Sequence, residues 1–194
     1  MVSTTKGYEV RKYTSGLSVS GINKLANELE AYANSMRDKN EAFVKRLCEE
    51  GIHTAEVSVR ERMRSYILFE YTKASYKHVC KAVLIAKNKE MYKSSYYSKD
   101  ENGNEFLKTV DVSPILMAEF GSGWRADVRS NVVGVGQGTF PDQTHATDND
   151  GWWWKDTEGQ WHHSLGEVPD YPMYNASVKM IERIVAIARE VFGA

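Results

Sequence analysis

The sequence predicts an α+β fold in which a long N-terminal helix and a C-terminal helix pack on a mainly antiparallel β-sheet, with a long hairpin-containing insertion. Three observations carry this expectation. Ile22, Leu25, Leu29, Tyr32, Met36, Phe43 and Leu47 recur at spacings of three, four or seven, the period of a helix with one apolar face. The stretch from Tyr66 to Val112 is rich in β-branched and aromatic residues, and its connections are too short for repeated helical crossovers, so the strands must run antiparallel. Finally, Met173 to Phe192 places Ala176, Met180, Ile184, Ile187, Ala188 and Val191 on one helical face behind Pro172.

Residues 1–18 show no sustained period and read as an arm or short edge strand. Ser20 is the expected N-cap of the first helix and Gly51 its stop, giving a rod about 45 Å long at roughly 1.5 Å per residue. Part of its stripe is available to a neighbouring subunit; the alternative is a core helix along the sheet. Ile52 to Met63 reads as a second short helix, with Ala55, Val59 and Met63 on one face, although a strand start is also compatible. Two β-rich runs follow, Tyr66 to Thr72 and Tyr76 to Lys87. In the second, Cys80, Ala82, Leu84 and Ala86 share a face, and a helix remains an alternative because short apolar runs are ambiguous. Lys99 to Asn104 is turn-forming, and Phe106 to Val112 alternates as another strand.

Ser113 and Pro114 supply an N-cap and a proline at the first position of a short helical turn over the next residues, which Gly121 ends in the left-handed conformation. From Gly121 to Tyr171 runs a Gly-, Asp- and Asn-rich insertion, longer than most loops within a domain. It must hold local structure or serve a function. Trp152-Trp153-Trp154-Lys155 and Gln160-Trp161-His162-His163 flank Asp156-Thr157-Glu158-Gly159, the pattern of a β-hairpin with a four-residue turn. All of this is read as one domain over residues 1–194.

Composition narrows the function classes. The 194 residues hold 42% apolar residues and 26% charged ones, as in an ordinary globular protein that needs no disulfide staple. The apolar runs are too short to span a bilayer and the start lacks the apolar core of a secretory signal, so a cytosolic protein is expected. Cys48 and Cys80 lack metal or redox spacing and read as small apolar residues. A net charge of −1 argues against dedicated nucleic-acid binding. The charge is segregated, however: Val57 to Ser95 holds nine basic and three acidic residues, Tyr96 to Asp170 five basic and thirteen acidic. Two solvated surfaces of opposite sign explain this, and so does complementarity between subunits of a head-to-tail ring.

The catalytic readings fail on spacing. Gly134-Val135-Gly136-Gln137-Gly138 resembles a phosphate cradle, but Phe140-Pro141-Asp142 cannot open the helix such a loop requires. Asp148-Asn149-Asp150-Gly151 lacks an acid at both ends of a calcium loop, where Ala146 and Thr157 stand. Ser122 lies outside any nucleophile elbow. His145, His162 and His163 with Asp148 and Asp150 are the candidate metal ligands, yet adjacent histidines on a strand face opposite ways. No catalytic, cofactor or metal residue is therefore assigned. Trp152, Trp153, Trp154 and Trp161 are the candidate interface residues, because alternation sends Trp153 to the side opposite Trp152 and Trp154.

Glu119-Phe120-Gly121-Ser122-Gly123, followed downstream by Pro172-Met173-Tyr174 and a closing helix, resembles a family of small phage proteins, the tail components like gene product ten of HK ninety-seven-type siphophages. In that family a Glu-Phe-Gly-Ser/Thr-Gly step precedes a variable loop, and a proline followed by Met or Phe opens the last helix. The order of the motifs carries the resemblance across most of the chain, and the insertion between Trp124 and Val168 is longer and richer in tryptophan than in a minimal member. The resemblance implies a structural motif at Glu119, Phe120, Gly121, Ser122, Gly123, Pro172 and Met173. It also implies a head–tail joining, neck or tail-completion protein of a phage or prophage: no enzyme, no cofactor, assembled in the host cytoplasm into a homo-oligomeric ring of the virion with other neck and tail proteins, and monomeric until a partner templates it. Two other classes remain open on the residues alone, a metal-dependent hydrolase in the His/Asp-rich loop and a binding module built on the tryptophan hairpin.

Overall fold

In the computed structural model the described residues are 18–76, 79–126 and 150–193. Their order is α1 (Val19–Ser58), α2 (Glu61–Arg64), β1 (Ile67–Tyr76), β2 (Val79–Asn88), β3 (Tyr92–Lys99), β4 (Glu105–Val112), α3 (Pro114–Phe120), a single 3-10 turn (Gly123–Arg125), β5 (Trp152–Lys155), β6 (Trp161–Ser164) and α4 (Pro172–Phe192). The α+β class, the long first helix and the closing helix are as the sequence predicts. The antiparallel strands form three two-stranded sheets, β1–β2, β3–β4 and β5–β6.

Helix α1 departs from its expected bounds at both ends. Its N-cap is Ser18, two residues before the expected Ser20: the Ser18 hydroxyl accepts the Gly21 N–H at 3.1 Å and its carbonyl accepts the Ile22 N–H at 3.0 Å. Gly51 does not stop the helix. It is buried inside α1, and the apolar face continues through Ile52 and Ala55, so burial outweighs a glycine penalty of about 1 kcal/mol. The 40 residues span roughly 60 Å. The expected second helix over Ile52 to Met63 is thus the end of α1, a break at Arg60 (φ −56°, ψ 144°), and the single turn α2.

The chain gathers into two units, one of Met1–Glu50, Tyr71–Val83 and Met180–Ala194, the other of Gly51–Glu70 and Leu84–Lys179. In the second unit the core is Ala55, Val59, Ile67, Phe69, Ala118 and Ala176, joined by Ile52, Met63, Leu84, Ala86, Ile115 and Met173. Helices and strands therefore share one apolar interior, and side chains from α1, β1, α3 and α4 meet there. In the first unit Cys48 and Ile187 are buried, and the Phe43 and Phe192 rings lie 5.9 Å apart. Arg46 pairs with Glu190 at 3.1 Å, and Arg183 reaches Glu50 at 3.7 Å and Glu190 at 3.9 Å. The buried face of α4 includes Ala176 and Ile187 but not Ile184, which is 41% exposed. Arg183, one residue earlier, holds the place expected of Ile184 and keeps its guanidinium on the two acids.

Strand β2 has the expected alternation, with Cys80, Ala82, Leu84 and Ala86 turned inward and Lys81, Val83 and Lys87 outward. Tyr76 ends β1 instead of starting β2. In β4, Lys108, Val110 and Val112 form the covered side. Strand β3 is an addition to the sequence reading: Tyr92 to Lys99 carries tyrosine and serine on both faces, with Lys93 and Lys99 on one, and lacks an apolar period. It pairs with β4 from Tyr92↔Val112 to Lys99↔Glu105. The β3–β4 and β5–β6 turns are built alike. Asp100 Oδ1 accepts the N–H groups of Asn102 and Asn104, and Asp156 Oδ1 those of Glu158 and Gln160. Gly103 and Gly159, at φ 84° and 82°, make the reversal that a β carbon would strain. Both turns share the pattern Asp-x-x-Gly followed by an amide residue.

Candidate interaction surface

Helix α3 begins as the sequence predicts. Pro114 follows an N-cap Ser113 whose hydroxyl accepts the Leu116 N–H at 3.3 Å. Asn88 supports this cap from β2, donating to the Ser113 hydroxyl at 2.9 Å and accepting the Ile115 N–H at 3.0 Å. The helix ends at Gly121, whose φ of 71° is positive but whose ψ of −165° is extended, a combination nearly restricted to glycine.

Beyond α3 the singled-out residues form one junction. Ser122 N–H donates to Glu167 O at 2.9 Å, and Glu167 N–H returns to Ser122 O at 3.0 Å and to its hydroxyl at 3.1 Å. Ser122 is 4% exposed and its hydroxyl serves the backbone. Glycines line this contact because the two backbone segments touch: a β carbon on Gly166 would lie 1.9 Å from Ser122 O, and one on Gly121 would lie 2.3 Å from Glu167 O. A β carbon on Gly123 would meet the Trp152 ring at 2.4 Å. The Glu119 carboxylate accepts the N–H groups of Met173 and Tyr174 at 2.7 and 3.0 Å, while Asp170 and Tyr171 donate to Ala118 O at 2.7 and 3.1 Å. The structure thus brings Glu119, Gly121, Ser122 and Gly123 into one backbone assembly with the entry to α4 at Pro172 and Met173. Phe120, in the last position of α3, is half-buried.

Arg60, in the break after α1, grips the same strand. Its Nε lies 2.7 Å from Asp170 Oδ1, its backbone N–H donates to Asp170 Oδ2 at 3.1 Å, and Nη1 reaches Glu167 Oε2 at 2.9 Å. Its second terminal nitrogen donates to Val168 O, and Arg62 also pairs with Glu167. Charges from the basic and acidic segments therefore meet within one chain at this point. Neither partner has a local sequence signal, since they are more than a hundred residues apart.

The hairpin β5–β6 forms as expected, but its second strand starts at Trp161, not Gln160, so that Trp153 lies opposite His163, Trp154 opposite His162 and Lys155 opposite Trp161. Trp152, Trp154 and His162 are half-buried, and the Trp154 and His162 rings stack at 4.7 Å. The opposite face carries Trp153, 66% exposed, Trp161, 61% exposed, and His163, whose ring is 4.8 Å from that of Trp153. Lys155 joins the hairpin to β3–β4: its ammonium is 3.0 Å from Glu105 and 5.1 Å from the centre of the Tyr97 ring. That ammonium holds the Glu105 carboxyl below its usual range.

The two histidines do not converge. His162 Nε2 donates to Asp156 Oδ2 at 2.7 Å, a bond that, with the Gln160 and Glu158 N–H groups, holds the Asp156 carboxyl below its ordinary value. His163 Nε2 donates to the Asp150 carbonyl at 2.5 Å on the other side. His145 and Asp148, with the glycine-rich stretch at 134–138, lie outside the described residues. Among the described residues no group of three His, Cys, Asp or Glu side chains is placed to hold a metal ion, and no helix is long and apolar enough to cross a membrane. Cys48 is buried, which pushes its thiol pKa up. No family model, curated protein or solved structure matches the chain.

Proposed function

We propose that this chain is a structural assembly component that works through protein–protein contact, as a head–tail joining, neck or tail-completion protein of a tailed phage or prophage. The observation that carries the assembly reading is the pair of indoles, Trp153 and Trp161, each more than 60% exposed on one face of a short hairpin. Large aromatic side chains held in water by a fixed backbone are the usual anchors of protein interfaces. Polar side chains near the motif and hairpin are engaged in holding the fold: Glu119, Ser122, Asp156 and Asp170 all accept backbone N–H groups. The phage assignment rests on the order of the Glu119–Gly123 and Pro172–Tyr174 motifs.

The test is removal of the gene from a phage or prophage that carries it, followed by electron microscopy of the induced particles. The expected outcome is filled capsids and complete tails that remain apart, rejoined when the protein is supplied. Normal infectious particles without it would overturn the phage role. The competing hydrolase needs His145 and His163 on one ion. Metal analysis of purified protein, with His145→Ala and His163→Ala, separates the two: a stoichiometric ion lost in both variants would favour the enzyme.

A further inference from the structure

The turn between β3 and β4 holds the sequence's one Asn-Gly step, Asn102-Gly103. The carbonyl carbon of an asparagine side chain is an electrophile within reach of the next residue's backbone nitrogen, and glycine leaves that nitrogen unshielded because it has no β carbon. Three features of the turn favour the encounter. Asn102 and Gly103 are exposed, and no described residue bonds the Asn102 carboxamide. A β carbon on Gly103 would meet nothing within 4 Å, so the backbone is free to turn about it. The Gly103 N–H donates to Asp100 O at 2.9 Å, a turn contact beyond the last ladder pair, Lys99↔Glu105, so its opening leaves the strands paired.

The other described asparagines lack this combination. Asn23, Asn27, Asn34 and Asn40 lie in α1 and Asn175 in α4, where helical geometry turns the following nitrogen away from the side chain. The Asn88 carboxamide is bonded through both of its polar atoms, to Ser113 and Ile115, and that of Asn104 donates to Asp100 Oδ2 at 3.0 Å. The one Asp-Gly step, Asp150-Gly151, could close the same ring, but Gly151 is packed so tightly that a β carbon there would lie 2.1 Å from Ser164 O.

We propose that Asn102 is a self-modification site, where the chain converts itself to aspartate and isoaspartate with water as the only co-reactant. The Gly103 nitrogen, on losing its proton, bonds to Asn102 Cγ; the Cγ–Nδ2 bond breaks and ammonia leaves with that proton, closing a cyclic imide. Water then opens the ring. Cleavage at Cγ gives aspartate on an unchanged backbone, and cleavage at the main-chain carbonyl gives isoaspartate, with the chain rerouted through the side chain. The twin turn shows that the first product is tolerated. Its equivalent residue is the acid Glu158, whose N–H is held by Asp156 Oδ1 as that of Asn102 is by Asp100 Oδ1, each at 2.9 Å. Isoaspartate instead adds a methylene to the main chain between the two N–H groups that Asp100 Oδ1 holds, those of Asn102 and Asn104. Glu105, the next residue, receives the Lys155 ammonium at 3.0 Å, so ageing at Asn102 loosens the seat of the tryptophan hairpin.

The test keeps the full chain in mildly alkaline buffer at body temperature for several weeks, with ion-exchange separation and peptide mapping that distinguishes isoaspartate from aspartate. An acidic form one charge more negative than the parent's −1 should accumulate, mapped to position 102 ahead of Asn88 and Asn104. Gly103→Ala and Asn102→Gln should each slow its appearance roughly tenfold or more. In the isoaspartate fraction the amides of Lys99 and Glu105 should lose exchange protection, whereas Asn102→Asp, which carries the charge on a normal backbone, should keep it. Absence of the acidic form, or its first appearance at another asparagine, overturns the site, and an undiminished rate in Gly103→Ala overturns the role of the bare nitrogen. Full protection in the isoaspartate fraction overturns the loosening of the hairpin's seat.

Discussion

The Glu119 carboxylate spans the backbone N–H groups of Met173 and Tyr174, at 2.7 and 3.0 Å, and so caps a helix that starts 53 residues further along the chain at Pro172. Tyr171, which precedes that helix at φ 55°, has no short polar side chain to do this itself. Replacing Glu119 with alanine should cost about 1–2 kcal/mol in urea unfolding, and Glu119→Gln, which keeps one acceptor, should cost less. Equal losses for both variants would show that the negative charge, and not the hydrogen bonds, supports α4.

The glycines sort into two classes with different expected costs. Gly166→Ala forces a β carbon to 1.9 Å from Ser122 O and should destabilise the chain by more than about 3 kcal/mol, seen as loss of soluble protein or of the unfolding transition. Gly103→Ala meets nothing within 4 Å and bears only the cost of its φ of 84°, about 1 kcal/mol. Similar melting temperatures for the two variants would contradict the close junction.

Arg60→Ala should cost on the order of 2 kcal/mol, because it leaves Asp170, whose side chain is 10% exposed, without its main cation. Arg60→Lys should recover only part, since an ammonium cannot reach Asp170, Glu167 and Val168 O together. Lys73→Ala breaks an exposed pair with Glu41 and should leave the denaturation midpoint unchanged.

Acid should loosen both Asp-x-x-Gly turns. Asp100 is held below its ordinary carboxyl value by the side chain and N–H of Asn104, and Asp156 by His162 and the Gln160 N–H. A carboxylate whose folded pKa is depressed contributes its stabilisation in full above the unfolded value, near pH 4, and loses it as pH falls through the folded value. Amide resonances of Asn102, Asn104, Glu158 and Gln160 should therefore shift together below about pH 4. In Asp100→Asn and Asp156→Asn the corresponding shifts should vanish. Persistence of both sets in the variants would assign the acid response to other groups.

Trp153→Ala and Trp161→Ala should leave the thermal midpoint within about 2 °C of the parent, because little of either indole is covered. Under the assembly reading, the same variants should fail to restore joined particles. Full rescue by the double variant would remove the hairpin face from the interface.

Local chemistry was legible and distant chemistry was not. Ser113, Pro114 and Gly121 bound a seven-residue helix through contacts among near neighbours, and the tryptophan hairpin follows from alternation and a turn of four residues. Gly51 misled because glycine commonly ends helices, whereas here the buried face beyond it keeps α1 going. Strand β3 has no two-residue apolar period, so only its pairing with β4 identifies it. The motif residues Glu119 and Ser122 were picked out, but not their roles. Their partners Met173 and Glu167 stand 54 and 45 positions away, beyond any local pattern.

The crossing of Ser122 with Glu167, and the seating of Trp152 on Gly123, close the chain at the base of whatever it carries between positions 126 and 150. A clasp made from main chain asks little of side-chain identity on the segments it joins: apart from the glycines, which leave room for the close approach, it is held by amide and carbonyl groups that every residue but proline supplies. Substitutions at Glu167 that keep the backbone path should therefore leave this latch closed.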